Sequence, residues 1–302
     1  MLKNLAFALF LLALGGASTT FAQEAGKVSM TAEQFESTLS FQQGKINLPG
    51  SIATLDLPAS FRYLNPADTE KVLVEGWGNP PGQKTLGMIV PAATSLLSAA
   101  GWGVVVTYDA DGHVKDDDAD AIKYDELLKE MQEGTEAGNE ERKKAGYPAM
   151  TLVGWAEKPS YDKASHKLYW AKELKTGADQ NSGLNYNIRV LGREGVLVLN
   201  AIASMDQLAK IRTEMKQVTA FSDFTPGNRY TDFNSATDKT AEYGIAAMVA
   251  GGVAAKLGLF GKLFAFLLLF KKFVIVGLGA LVYGLAKFFG RDKGATKVNL
   301  EK

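Results

Sequence analysis

Between residues 244 and 289 the chain carries no acidic side chain, and the apolar run is much longer than one helix of a water-exposed domain requires. This stretch constrains everything before it. A bilayer span takes about 20 apolar residues, but Lys256, Lys262, Lys271, Lys272 and Lys287 interrupt the run. Each lysine costs about 2.5–3.5 kcal/mol at the bilayer centre, which disfavours one helix centred on Lys271 and Lys272. Two arrangements avoid that cost: a single span over 273–289 with lysines snorkelling at both ends, or a hairpin of two spans that turns at Lys271 and Lys272. The basic residues Lys287, Arg291, Lys293 and Lys297 favour the single span, which leaves them on the cytoplasmic side. Small residues at Ala247/Gly251 and Gly277/Ala281 permit close helix contacts, and so a homo-oligomer through the anchor.

The opposite end reads as an export signal. Lys3 precedes a short apolar run over 5–14, and Thr20-Phe21-Ala22 places small residues at −3 and −1 of a cut before Gln23. The chain is therefore expected to divide into a signal peptide (1–22), a polar segment (23–50), a soluble periplasmic domain (51–220), a tether (221–243), a membrane anchor (244–289) and a basic tail (290–302). The expected location is the bacterial inner membrane, with the domain in the periplasm and the lipid bilayer as one partner. Charge supports the division: 23–243 holds 23 Lys and Arg against 31 Asp and Glu, a net of −8, whereas the residues after 243 hold 9 against 2. An acidic domain lacks the basic face that nucleic acid requires. There is no cysteine, which excludes disulfides, thiolate metal sites and a cysteine nucleophile.

Within the domain, Thr31 and Gln34 form a capping box. Alternation predicts a strand over 51–63, and Asn65-Pro66 starts a helix. Strands are expected over 85–90 and 102–108, followed by a turn at 109–112 and a polar helix over 118–144. Four strand-like runs follow at 150–158, 166–173, 184–191 and 196–203, the last two joined at Gly192-Arg193-Glu194-Gly195, and an amphipathic helix covers 205–218. Consecutive strands without intervening helices imply an antiparallel sheet with helices packed on it, an α+β fold.

Several segments resemble the bacterial membrane-anchored proteins grouped as domain-of-unknown-function family 2167. They are Gly76-Trp77-Gly78-Asn79-Pro80-Pro81, GHVKDDD over 112–118, Gly154-Trp155 with Pro159-Ser160-Tyr161-Asp162, LNYNIRVLGREGVLVLN over 184–200, and GNRYTDF over 227–233. The resemblance implies a place in the envelope and no known activity. A looser likeness to the antiparallel sandwiches of Mog1 and PsbP type favours a binding module by analogy alone.

Three patterns bear on chemistry. Asp109, Asp111, Asp116, Asp117 and Asp118 surround a glycine turn and offer oxygen ligands to calcium or magnesium. Their spacing departs from the EF-hand, however, and a turn leading into a capped helix explains them better, so no cofactor is expected. The two histidines, His113 and His166, lie in no metal or triad spacing. The loop over 78–85 fails as a phosphate loop because Gln83 separates Gly82 from Lys84. What remains is a candidate binding surface: Asn79 in that loop with Trp77 beside it, and Asn185, Asn187, Arg189, Arg193 and Asn200 around the last hairpin. Period-two alternation puts Asn185, Asn187 and Arg189 opposite Tyr186, Ile188 and Val190. Amides with an arginine suit an anion, peptide or glycan, and an ordinary wet sheet face has the same pattern. The expected function is a non-enzymatic module binding an envelope protein or wall component. A carboxylate-dependent hydrolase of wall polymer and an ion-responsive or transport-associated membrane subunit are the alternatives.

Overall fold

The computed structural model describes residues 30–177 and 181–250. The expected signal peptide and the expected anchor from residue 251 onward lie outside them. Among the described residues no helix is long and apolar enough to cross a membrane.

The chain opens with helix α1 (Ala32–Glu36), closed by the predicted capping box of Thr31 and Gln34. The polar segment then supplies two short strands, β1 (Phe41–Gln42) and β2 (Gly44–Asn47). The single strand expected over 51–63 is two strands, β3 (Ala53–Leu57) and β4 (Phe61–Leu64). Pro58 lacks an N–H, and its carbonyl accepts from the Phe61 N–H in the intervening turn, so the chain leaves one sheet and enters another. Helix α2 (Pro66–Lys71) starts where Asn65 caps it, and it widens into a turn in which the Trp77 N–H reaches the Val72 carbonyl at 2.9 Å. Strands β5 (Gly87–Pro91) and β6 (Gly103–Asp109) follow.

Helix α3 (Tyr124–Lys144) begins six residues later than expected, because Asp118 makes its bonds elsewhere. Strands β7 (Met150–Asp162), β8 (Lys167–Thr176), β9 (Gly183–Leu191) and β10 (Val196–Ser204) form a continuous meander. Helix α4 (Leu208–Ala220), strand β11 (Ser222–Phe224) and helix α5 (Ile245–Ala250) complete the elements.

An eight-stranded sheet runs β1-β4-β5-β6-β10-β9-β8-β7, and a three-stranded sheet runs β11-β3-β2. Every pairing is antiparallel, as the run of strands without crossover helices implied. One face of the large sheet buries Tyr186, Ile188 and Val190 against Ile211, Met215 and Val218 of α4 and Leu55 of the small sheet. The other face divides its apolar contacts between two clusters. Leu64, Met88 and Val105 pack under α1 and α2 with Trp77, while Leu168, Trp170 and Val198 pack under α5. The asparagines fall between those clusters. The far edge is closed by α3, whose buried Asn139 accepts from the Met150 N–H at 2.8 Å and donates to its carbonyl at 2.9 Å, occupying hydrogen-bonding groups of β7.

The segment 221–243 is not a free tether. Ser222–Phe224 pairs with β3, and the Arg193 guanidinium grips Asp238 through two bonds of 2.7 and 2.9 Å. His113 donates its backbone N–H to the Lys239 carbonyl and accepts from the Ala241 N–H, both at 2.8 Å. The approach is close enough that Gly112, at φ +106°, is required: a Cβ there would sit 2.7 Å from the Lys239 oxygen. The first residues assigned to the anchor also belong to the domain, since Ile245, Met248 and Val249 of α5 are buried against it.

Candidate functional site

Two polar regions lie on the helix-covered face, and the structure treats them in opposite ways. The first is the acidic stretch. Asp111 accepts from the Tyr243 hydroxyl at 2.8 Å, and Asp116 accepts from Tyr161 at 2.8 Å and from Tyr230 at 3.4 Å. Asp118 accepts from the Ile245 and Ala246 N–H groups at 2.9 and 3.2 Å, capping the start of α5. The three carboxylates are therefore fasteners for the C-terminal segment. Among the described residues no three His, Asp or Glu side chains are grouped to hold a metal ion.

Around Asp116 the rings of His166, Tyr230, His113 and Phe233 stack in a column with centroid spacings of 4.1, 4.2 and 3.8 Å. Burial pushes the Tyr230 hydroxyl up to about 12, with the Asp116 carboxylate adding to the effect, and burial pushes the His113 imidazole down. Both shifts favour the neutral form, which suits a packed joint. Arg193 belongs here too. Its guanidinium is committed to Asp238, whose carboxyl it holds well below the usual range, so Arg193 leaves the binding set proposed from sequence.

The second region is a polar seam built by register. Asn200 of β10 lies opposite Val105 of β6 and Asn187 of β9, and Asn187 lies opposite Trp170 of β8. One row along, Ile202, Asn185 and Lys172 are opposite one another in the same way, and in the other direction so are Val198, Arg189 and Leu168. Side chains two apart on a strand share a face, so Lys172, Asn185, Asn187, Arg189 and Asn200 all lie on one surface. The asparagines are not an ordinary wet face: each is 3% exposed.

Inside the seam the Asn187 amide donates to the Asn185 carbonyl at 3.0 Å and to its side-chain oxygen at 2.8 Å. The Asn200 Oδ1 and the Trp170 Nε1 are buried with no partner, although a buried unpaired polar group costs about 1–3 kcal/mol. The Arg189 guanidinium lies 4.9 Å from the Trp170 ring centroid and makes a long bond, 3.4 Å, to the Ile188 carbonyl. Loss of hydration, with the nearby Arg189 charge, lowers the Lys172 ammonium to about 8. Loss of hydration likewise lowers Arg189 to about 10, against the pull of Asp109 and Tyr243.

The loop residues divide. Trp77 is a core side chain, 9% exposed, with its Nε1 donating to the Leu96 carbonyl at 3.1 Å, so it presents no ring to a partner. Asn79 is buried with both amide atoms unpartnered. Lys172 is the residue that sequence reading missed. The signal was present, because alternation along β8 places a lysine on the same face as Leu168 and Trp170, where an apolar residue is expected.

Against known proteins, a profile of the family described as protein of unknown function, DUF2167, matches residues 40–282. The chain belongs to that family. The match takes in the seam, the acidic stretch and the docked C-terminal segment alike. None of the curated proteins matches the chain in sequence. Among solved structures, the solution structure of cyanobacterial PsbP (CyanoP) from Synechocystis sp. PCC 6803 is similar at 9% identity, covering 67% of this chain and 98% of that one. Its TM-score of 0.35 is too low to support an argument about this DUF2167 chain.

Proposed function

We propose that this chain is a non-enzymatic binding module of the bacterial cell envelope, exported through its N-terminal signal and held at the inner membrane by the apolar stretch that continues past residue 250. Its ligand contacts the polar seam. The single observation behind this reading is the seam itself: a lysine and an arginine beside three buried asparagines, with the Asn200 Oδ1 and the Trp170 Nε1 unpartnered, in the middle of a sheet face that is otherwise apolar. A polar interior without partners weakens a fold, so a ligand that completes it is a physical reason to retain it. The acid-free stretch over 244–289, the basic residues after it and the small residues at the N-terminal cut support the location.

The test uses the double variant Asn187→Leu/Asn200→Leu in the full chain. Replacing partly satisfied buried amides by leucine is expected to raise the melting temperature, by the equivalent of about 1 kcal/mol. Extracts of envelope metabolites and wall fragments are expected to stabilise the wild type and leave the variant unmoved. Equal responses from both proteins would reduce the seam to packing. Location is read separately. The natural chain has no cysteine, so Ser235→Cys, at an exposed position, gives a single thiol. Labelling by a membrane-impermeant maleimide in cells with a permeabilised outer membrane is expected, and protection until the inner membrane is lysed would refute the periplasmic placement.

A further inference from the structure

The seam offers more donors than acceptors, and this narrows the class of its ligand. An ammonium carries three donors and a guanidinium five, with no acceptor between them. The buried Trp170 Nε1–H is another donor with nothing to receive it. The one orphaned acceptor, the Asn200 Oδ1, belongs to an amide that exposes its NH2 instead after a half-turn. Along β9, Asn185 and Arg189 are separated by about 13 Å at a strand rise of roughly 3.3 Å, with Lys172 opposite the first. Asn187 and Trp170 form the row between the two cations, and Asn200 lies beside Asn187 on the next strand. Lys172 and Arg189 are both partly exposed while the amides behind them are buried, so a solute meets the charges first and then the amides. Asp109 and Tyr243 lie on the Arg189 side and favour its charge.

Resting on the seam as the binding site, we propose that it is an anion site: a carboxylate or phosphate group sits between the Lys172 ammonium and the Arg189 guanidinium, above Asn187 and the Trp170 Nε1–H. The two cations repel each other and have shed part of their hydration, so the free site is poised for an oxyanion that bonds to both at once. Because Lys172 is only part-charged near pH 8 in the free protein, an anion beside it draws in a proton.

The experiment is calorimetric titration of the full chain with inorganic phosphate and, separately, with succinate, at constant ionic strength near pH 8 and in two buffers of different ionisation enthalpy. Binding with net proton uptake is expected. Uptake is expected to vanish in Lys172→Met, and affinity to fall by at least about tenfold in Lys172→Met and in Arg189→Met. Arg189→Lys serves where the methionine variant fails to fold, and it is expected to bind more weakly than the wild type. A preference for phosphate assigns a phosphate-bearing ligand, and a preference for succinate a carboxylate. Proton uptake that persists in Lys172→Met would overturn the proposal. So would the absence of heat with both probes while Asn187→Leu/Asn200→Leu still abolishes the response to envelope extract, a result that leaves a seam binding an uncharged ligand. Absence of heat together with an unchanged response of that double variant would remove the binding reading as well.

Discussion

The acidic stretch and the asparagine seam share one sheet face, and they show that residue type alone is a poor guide to a site. The aspartates had the composition of a cation site, yet Asp111, Asp116 and Asp118 are spent on tyrosine hydroxyls and on the backbone N–H groups of α5. The asparagines had the composition of a solvated face, yet they are buried, and their surroundings hold a Trp170 Nε1–H and an Asn200 Oδ1 without partners. The distinction between fastener and site lies in whether the polar capacity is used up within the chain. In the first region the three carboxylates are used up, although the buried His113 Nδ1 has no partner, and in the second the Asn200 Oδ1 and the Trp170 Nε1–H are left open.

The largest effect expected from breaking this contrast is at Asp238, which holds both the Arg193 fork and the Asn234 N–H. Asp238→Ala removes one side of that joint, and its melting temperature is expected to fall furthest among the clasp variants when followed by circular dichroism. The carboxyl is held below its unfolded value, so its contribution is present above about pH 4 and is lost as pH drops below that. The variant should therefore approach the wild type in acid. A smaller loss is expected for Asp118→Ala, where a helix cap worth about 0.5–2 kcal/mol disappears. A urea midpoint within error of the wild type would show that α5 docks without it.

Smaller again is a pH slope that belongs to the seam. The folded-state value of Lys172 lies below the unfolded one of about 10.4, so the unfolded chain binds more protons between about pH 8 and 10, and stability rises with pH in that window. Lys172→Met is expected to flatten the rise, seen as urea midpoints measured across the window. The smallest effect is none: millimolar calcium or magnesium is expected to leave the melting temperature unchanged, because Asp111, Asp116 and Asp118 are already engaged. A rise that Asp116→Asn abolishes would restore the cation reading.

Much of the domain was legible in its sequence. The Thr31 capping box, the Asn65-Pro66 helix start, the hairpin at 192–195 and the opposition of Asn187 to Ile188 all follow from rules acting over a few residues, and the structure has each of them. The two strands within 51–63 were less legible, because alternation continues across Pro58 while the chain changes sheet. The segment 221–243 was illegible for a similar reason: its polar residues read as solvated until Asp238 meets Arg193 and Tyr243 meets Asp111, contacts that link positions 45 and 132 residues apart.

The sequence by itself determined the succession of strands, the face on which each strand residue lies, the family, and the acid-free apolar stretch over 244–289 that argues for a membrane. Those features depend on local backbone preference, on side-chain alternation and on composition, which neighbours in the chain settle among themselves. Only the tertiary structure decided which polar residues became fasteners and which were left open. Cross-strand register placed Lys172 beside Asn185 and Trp170 beside Asn187, and docking of the C-terminal segment used up the aspartates. Whether a buried polar atom finds a partner depends on what the rest of the fold brings to it, and that information is distributed over the whole chain.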